Sequence, residues 1–112
     1  RLAARIGGVV AVSGPVDFAT DGTRAVRVAN GNPMMARITV MGCSLNGVIA
    51  AFCVGQPAFE ATVAALAAYG HAGETAGRVA QGPGSFLPAF LDALYHLTPA
   101  SLDEGARIEA VT

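Results

Sequence analysis

Cys43 is the residue whose type and position most readily suggest chemistry. It follows Gly42 where a short predicted strand gives way to a helix. In open α/β sheets, ligands bind beyond the carboxyl ends of the strands. The free amides of a helix N-terminus attract anions and favour a thiolate. The same spacing also suits a small buried residue that fills the helix cap, so both interpretations of Cys43 stay open.

Two further segments could contact a phosphate or a nucleotide. Ser13 and Gly14 end the first apolar run and could touch a nucleotide, although a strand that simply ends in a turn explains them equally well. Residues 82–86, Gly-Pro-Gly-Ser-Phe, could form a phosphate loop. No Gly-Lys-Ser/Thr follows them, which favours a helix cap at Ser85 instead.

The cysteines and histidines predict neither a disulfide nor a metal site. Cys43 and Cys53 lie on one predicted helix, where their Cα atoms would be about 15 Å apart. A disulfide requires less than about 7 Å. His71 and Glu74 are three residues apart and His96 is remote, which is not the spacing of zinc ligands.

The first half of the chain predicts strands. Residues 1–6 resemble the end of a helix that stops at a Gly-Gly pair, and residues 9–13 form an unalternating apolar run. Such a run is typical of a strand buried on both faces of a parallel sheet. Residues 16–19 and 24–28 flank an Asp-Gly pair and predict an edge hairpin. Asn-Gly-Asn-Pro at 30–33 predicts a loop, and residues 37–40 a brief strand.

The second half predicts helices. An amphipathic stripe begins after Gly42, and because the opposite face is also apolar we expect this helix to be buried nearly all round. A second helix should run from Pro57 to about Ala80, with Gly70, Gly73 and Gly77 marking a close approach of another backbone. Residues 86–97 predict a further helix, and the Thr-Pro pair at 98–99 starts a short one. The order of elements predicts an α/β domain, or its C-terminal half.

Composition excludes several functional classes. Of the 112 residues, 53 % are hydrophobic and 13 % charged, which excludes disorder. Seven Arg, no Lys and a net charge of −1 cannot form the basic patch of a nucleic-acid binder. No apolar stretch reaches the roughly 20 residues of a membrane span, so we expect no membrane partner and a cytoplasmic location. A mean hydropathy of +0.50 and a first residue other than Met suggest one partial domain, residues 1–112, of something larger.

Several segments together resemble the second half of the hydroxyethylthiazole kinases. They are residues 10–18 (Val-Ala-Val-Ser-Gly-Pro-Val-Asp-Phe), 20–22, 30–35 (Asn-Gly-Asn-Pro-Met-Met), 42–45 with 48–53, 82–86 and 90–94. The likeness covers nearly the whole chain in the right order. It implies the C-terminal half of a ribokinase-like three-layer α/β fold.

The resemblance also implies a reaction and its site. Members of the family phosphorylate the hydroxyethyl group of 4-methyl-5-(2-hydroxyethyl)thiazole with ATP and Mg²⁺, in thiamine salvage, as homotrimers with active sites between subunits. The family cysteine falls on Cys43, where ribokinase relatives carry an aspartate base. The ATP-contacting Ser or Thr falls on Ser13, and a loop glycine beside the transferred phosphoryl group falls on Gly42. The resemblance places the Mg²⁺-binding acidic residues in the first half of such kinases.

One position departs from the family pattern. The first glycine of the Gly-x-Gly-Cys loop is Val40 here, followed by Met41. A branched side chain would hinder a positive φ or a close backbone approach, if the loop needs either. The alternative function is therefore a non-catalytic assembly or packing module derived from such a kinase.

Overall fold

The computed structural model describes residues 1–111. Its four strands are β1 (Val10–Val12), β2 (Asp17–Thr20), β3 (Ala25–Val28) and β4 (Ile108–Ala110). Its five α-helices are α1 (Leu2–Ile6), α2 (Met41–Phe52), α3 (Ala58–Val79), α4 (Pro83–Tyr95) and α5 (Pro99–Gly105), and a 3₁₀ helix spans Pro33–Arg37.

The predicted hairpin between β2 and β3 is confirmed, but the prediction that it forms a sheet edge is wrong, because β1 and β4 pair with its outer sides. The sheet is antiparallel in the order β1-β2-β3-β4. At the hairpin turn Asp21 accepts hydrogen bonds from the amides of Thr23 (2.9 Å) and Arg24 (2.7 Å), which lower the pKa of Asp21 to about 2. The Arg24 guanidinium also donates to Glu60 of α3 (2.6 Å), so the turn is attached to the longest helix.

The prediction of a doubly buried parallel strand at residues 9–13 is wrong for the described chain. β1 pairs antiparallel with β2 and forms one edge of the sheet, where Ala11 and Val12 are exposed. An unalternating apolar run shows that a strand has two apolar faces, but it shows neither the direction of its partner nor what covers it.

The predicted strand at residues 37–40 is also wrong. The Asn32 side chain accepts a hydrogen bond from the Met34 amide (2.8 Å) and caps the 3₁₀ helix, with Pro33 in its first turn. This helix takes up Arg37, and a left-handed residue, Val40, then leads directly into α2. Local capping therefore prevails over the β propensity of the segment. The structure also adds β4, which sequence reasoning missed because it is three residues long.

The core lies between the sheet and α3, and α3 packs on α4 on its other side. Ala19 and Val28 of the sheet, together with Leu66, Phe86 and Phe90, are almost completely buried. Tyr69 of α3 meets Phe90 of α4 edge to face, with ring centroids 4.8 Å apart. The glycine prediction for α3 is confirmed at Gly70, where an added Cβ would lie 2.6 Å from the Asn30 backbone. At Gly73 and Gly77 the close neighbours are side chains, of Met35 and Asn32.

The structure tests the sequence-based predictions for α2, α4 and α5. α2 is not buried nearly all round: only Met41 and Leu45 are buried in it. α4 begins at Pro83 rather than at residue 86, so the predicted helix cap at Ser85 is wrong: the N-cap is Gly82. Ser85 lies in the first turn, where its hydroxyl accepts a hydrogen bond from the Gln81 amide (3.1 Å). The predicted start of α5 is confirmed by a capping box between Thr98 and Ser101.

Candidate active site

A cavity of about 510 Å³ lies where the turn after β1, the loop after β3 and the start of α2 meet. It is lined by Ser13, Gly14, Pro15, Asp17, Asn30, Gly31, Asn32, Pro33, Met35, Ala36, Met41, Gly42, Leu45, Tyr69 and Gly70. The cavity therefore unites two of the three predicted site residues, Ser13 and Gly42, which are far apart in the sequence.

Ser13 lies in the turn that follows β1, with an exposed side chain. The next residue, Gly14, donates its backbone amide to Asp17 Oδ1 at 3.0 Å. This bond ties the turn to the start of β2 and fixes the backbone next to Ser13. The position is one from which the hydroxyl can meet a ligand in the cavity.

Asp17 is a cavity residue that sequence reasoning missed. Its side chain is largely buried, and that burial raises the pKa of Asp17, while the hydrogen bond from Gly14 opposes the shift. In the sequence Asp17 is an acidic residue with apolar neighbours that predicts part of a hairpin, and nothing local indicates that it lines a cavity. It is the single carboxylate that lines the cavity among residues 1–111.

The start of α2 forms the opposite wall. Val40 precedes it in the left-handed region, with φ 76° and ψ −2°. The first backbone bond of the helix runs from the Ser44 amide to the Val40 carbonyl (2.8 Å), so the amides of residues 41–43 have no acceptor within the helix. The Met41 carbonyl accepts a hydrogen bond from the Tyr69 hydroxyl (2.7 Å), which attaches the start of α2 to α3. Gly42 lines the cavity at this end of the helix dipole.

Cys43 follows Gly42 in the first turn of α2, but it is exposed and outside the cavity lining. Its packing interpretation, a small residue that fills the helix cap in the interior, is wrong because the side chain is not buried. Both Cys43 and Cys53 are free thiols.

The loop after β3 forms the third wall with four consecutive residues, 30–33. Asn30 is buried, with its side chain fully hydrogen-bonded, and Asn32 caps the 3₁₀ helix. The Asn-Gly-Asn-Pro sequence predicted a loop but gave no sign that the loop would line a site.

The acidic and histidine side chains do not assemble a metal site. The carboxylate of Glu74 lies 3.7 Å from His71 Nδ1 but is already paired with Asn30 and Arg107. Within residues 1–111 no three His, Cys, Asp or Glu side chains converge to hold a metal ion. Asp17 is the single carboxylate at the cavity in this range, so these residues supply no complete set of ligands for Mg²⁺. In the same described range no helix is long and apolar enough to cross a bilayer.

The cavity lies beside the free amides at the N-terminus of α2, an arrangement that can bind an anion. Residues 1–100 match the model of the hydroxyethylthiazole kinase family, and the chain belongs to that family.

Comparison with individual proteins agrees with this assignment. The chain is 61 % identical over 110 residues to a hydroxyethylthiazole kinase of Cereibacter sphaeroides, covering 98 % of this chain and 42 % of that protein. It is 50 % identical over 111 residues to a hydroxyethylthiazole kinase of Desulfosudis oleivorans, covering 98 % and 40 %. The chain thus spans about two fifths of the length of these curated relatives.

A solved structure confirms the predicted fold class. The structure of a hydroxyethylthiazole kinase protein from Pyrococcus horikoshii OT3 superposes with a TM-score of 0.94 at 34 % identity, covering 98 % of this chain and 43 % of that one. The chain is accordingly the C-terminal part of a ribokinase-like α/β fold.

Proposed function

We propose that this chain forms the part of a hydroxyethylthiazole kinase that binds ATP and meets the transferred phosphoryl group. The reaction is the ATP-dependent phosphorylation of the hydroxyethyl group of 4-methyl-5-(2-hydroxyethyl)thiazole, a step of thiamine salvage. The observation that carries the proposal is the cavity that Ser13 and Gly42 share. Family membership supports the choice of substrates.

In this proposal Gly42 and the first amides of α2 carry the larger share of catalysis. Phosphoryl transfer passes through a loose transition state, so positioning and charge stabilisation matter more than proton removal. Amides without an acceptor in the helix, at the positive end of its dipole, stabilise charge on the phosphoryl oxygens. Ser13, on the opposite wall, would donate its hydroxyl to the nucleotide.

Cys43 takes the smaller role of a base or a nearby polar group. A general base contributes about 10²- to 10⁴-fold, and the thiol is exposed beside the cavity rather than within its lining. Cys43→Asp should therefore keep or raise turnover. Complete loss of turnover in Cys43→Ser with normal ligand binding would contradict this division of roles.

The wider setting is part of the same proposal. Residues 1–112 form one partial domain of a cytoplasmic homotrimer that works with Mg²⁺. Support for association comes from Leu87, Leu91 and Tyr95, exposed apolar side chains four residues apart along α4. Light scattering of the intact protein after size exclusion tests the trimer.

A pair of glycines on α2 tests the site. An added Cβ would meet nothing within 4 Å at Gly42 or at Gly47, but only Gly42 lines the cavity. Both alanine variants should stabilise the protein by up to about 1 kcal/mol, because alanine favours the helix. Only Gly42→Ala should weaken the binding of Mg-ATP, by about tenfold, because the added methyl group keeps the phosphates away from the backbone amides.

The measurement is a thermal-shift and calorimetric titration of the intact protein with Mg-ATP and with the thiazole alcohol. A kinase responds to both ligands. A response to neither ligand would favour the non-catalytic assembly module. Equal affinities of the Gly42→Ala and Gly47→Ala variants for Mg-ATP would show that the cavity is not the binding site for Mg-ATP.

A further inference from the structure

A polar network lies behind one wall of the cavity, and apart from Asn30 its side chains do not line the cavity. Its centre is Asn30, which is only 3 % exposed. Asn30 Nδ2 donates to Glu74 Oε1 and to the Gly105 carbonyl, both at 2.8 Å, and Asn30 Oδ1 accepts from the Arg107 amide at 2.7 Å. These bonds use both amide hydrogens and the amide oxygen, so the Asn30 side chain holds the fold and has no donor left for a ligand.

Arg107 closes the network from the C-terminal segment. Its guanidinium is paired with Glu74 Oε2 and donates to the Ala29 carbonyl at 2.8 Å. The Ala29 amide in turn donates to the Arg107 carbonyl at 2.9 Å. The backbone at the end of β3 is therefore held by both the main chain and the side chain of Arg107.

The same backbone is held from the side of α3. A Cβ at Gly70 would lie 2.6 Å from the carbonyl carbon and oxygen of Asn30. Helix and loop backbones are thus in direct contact, and Asn30 cannot move toward the helix. Its position depends on the hydrogen bonds that hold it in the other directions.

Asn30 is the first of the four consecutive residues that form one cavity wall, and neither Glu74 nor Arg107 touches the cavity. We propose that Glu74 and Arg107 are positioning residues that act through Asn30 to hold residues 30–33 in the conformation that binds the phosphoryl donor. The identity of the donor rests on the proposed function, whereas the positioning of the loop does not.

The chain offers a matched control for Arg107. Arg27 of β3 pairs with Glu109 of β4 at 3.9 Å, and both side chains are exposed. This pair joins β3 to β4, next to the segments that Ala29 and Arg107 connect, but it has no bond to Asn30. Arg27→Ala therefore removes an exposed arginine–carboxylate pair without touching the cavity wall.

Amide hydrogen exchange of the intact, ligand-free protein tests positioning directly. The amides of Met34 and Met35 bond to Asn32 at 2.8 Å and 3.0 Å and report on the wall. In Arg107→Ala their exchange should accelerate about tenfold, the effect expected of one charge-assisted hydrogen bond, while the α3 amide of Leu66 stays at the wild-type rate. Arg27→Ala should leave all three amides unchanged.

Conservative variants separate geometry from charge. Glu74→Gln keeps an acceptor for Asn30 but loses the charge that pairs with Arg107, so its effect should be smaller than that of Glu74→Ala. Arg107→Lys keeps the charge but lacks the planar fork that reaches Glu74 and Ala29 together, and its exchange should fall between wild type and Arg107→Ala. Wild-type exchange in Arg107→Ala, or equal acceleration at Leu66, would overturn the proposal.

Titration with Mg-ATP then tests the consequence for the ligand. Arg107→Ala should raise the Kd and the KM for ATP about tenfold with little change in kcat, the pattern of lost uniform binding. Arg27→Ala should stay within about twofold of wild type. Wild-type affinity in Arg107→Ala would overturn the effect on the ligand. If the wild-type protein binds neither substrate, the proposed function fails, and hydrogen exchange still decides the positioning.

Discussion

At the scale of single residues, backbone strain is concentrated at Val40. Its φ is 76°, and it is the single non-glycine residue with positive φ in the described part of the chain. This conformation costs a branched L-residue about 1–2 kcal/mol. The resemblance to the family implies a glycine at this position, and a positive φ is a conformation that glycine adopts without strain. The Val40 side chain is exposed and does not line the cavity, whereas Met41 does.

Replacing this valine should therefore stabilise the protein. Val40→Gly removes the strain, and part of the gain is offset because glycine loses more entropy on folding. We expect the free energy of unfolding to rise by about 0.5–1 kcal/mol. The urea midpoint at constant m-value measures it.

Val54 supplies the comparison for this variant. It is even more exposed, 79 % against 59 % for Val40, and it lacks a positive φ. Val54→Gly should lower the free energy of unfolding by about 0.5–1 kcal/mol. If the two glycine variants shift stability in the same direction, the strain assigned to Val40 is absent.

The contribution of Asp17 to the free energy of unfolding changes with pH in the opposite direction to that of most carboxylates. Because burial raises the pKa of Asp17 in the folded state, the native protein binds its proton more tightly than the unfolded chain. The contribution of Asp17 to the free energy of unfolding therefore falls as pH rises from 3.8 through the raised pKa, and is lowest above it. Asp21 behaves in the opposite way, since its pKa is lowered to about 2 and its stabilisation is lost as pH falls.

The variant Asp17→Asn isolates this effect, because the amide oxygen still accepts from Gly14. It should be more stable than wild type at pH 7, and the difference should shrink toward pH 4 as Asp17 becomes protonated. Urea denaturation at several pH values measures the difference. A difference that is constant with pH, or that favours wild type at neutral pH, would contradict the burial of this carboxylate as the dominant influence.

At the scale of elements, the sequence predicts features that depend on neighbouring residues. It fails where burial by distant residues or the capping of a helix determines the structure. The Asp-Gly hairpin, the helix start at Thr98 and the extent of α3 follow from short-range chemistry, and the structure confirms them. Residues 37–40 have the composition of a strand, but the cap at Asn32 places them in a 3₁₀ helix and a turn. Asp17 and Asn30 became site residues only through long-range packing, which no local pattern records.

The close contact between α3 and the cavity loop gives a prediction for this element. Gly70→Ala would bring a methyl group within 2.6 Å of the Asn30 backbone, which cannot move aside. The cost of overpacking, about 1–3 kcal/mol, exceeds the helix propensity that alanine adds. At Gly73 the nearest atom is the flexible sulfur end of Met35, so Gly73→Ala should cost less. Thermal unfolding of both variants checks the order, and a reversed order would contradict the backbone contact.

At the scale of the whole molecule, the chain exposes apolar surfaces, and its relatives are more than twice as long. β1 is an edge strand with apolar side chains on both faces, and α2 has only two buried residues. The sequence predicted both elements to be buried. Both elements do have two apolar faces, but residues 1–111 do not bury both faces. This agrees with a chain that spans about two fifths of the length of its relatives.

An exposed apolar edge strand is a site of association between copies, so the 112 residues expressed alone should aggregate as their concentration rises. Val12, in β1, is 57 % exposed, and Val12→Lys should increase the soluble fraction because a lysine on an edge strand opposes pairing with another sheet. Val79, which is 69 % exposed at the end of α3, is the matched helical position. Concentration-dependent light scattering should fall in Val12→Lys and change little in Val79→Lys. An equal reduction in both variants would show that added charge, and not the edge of β1, controls the association.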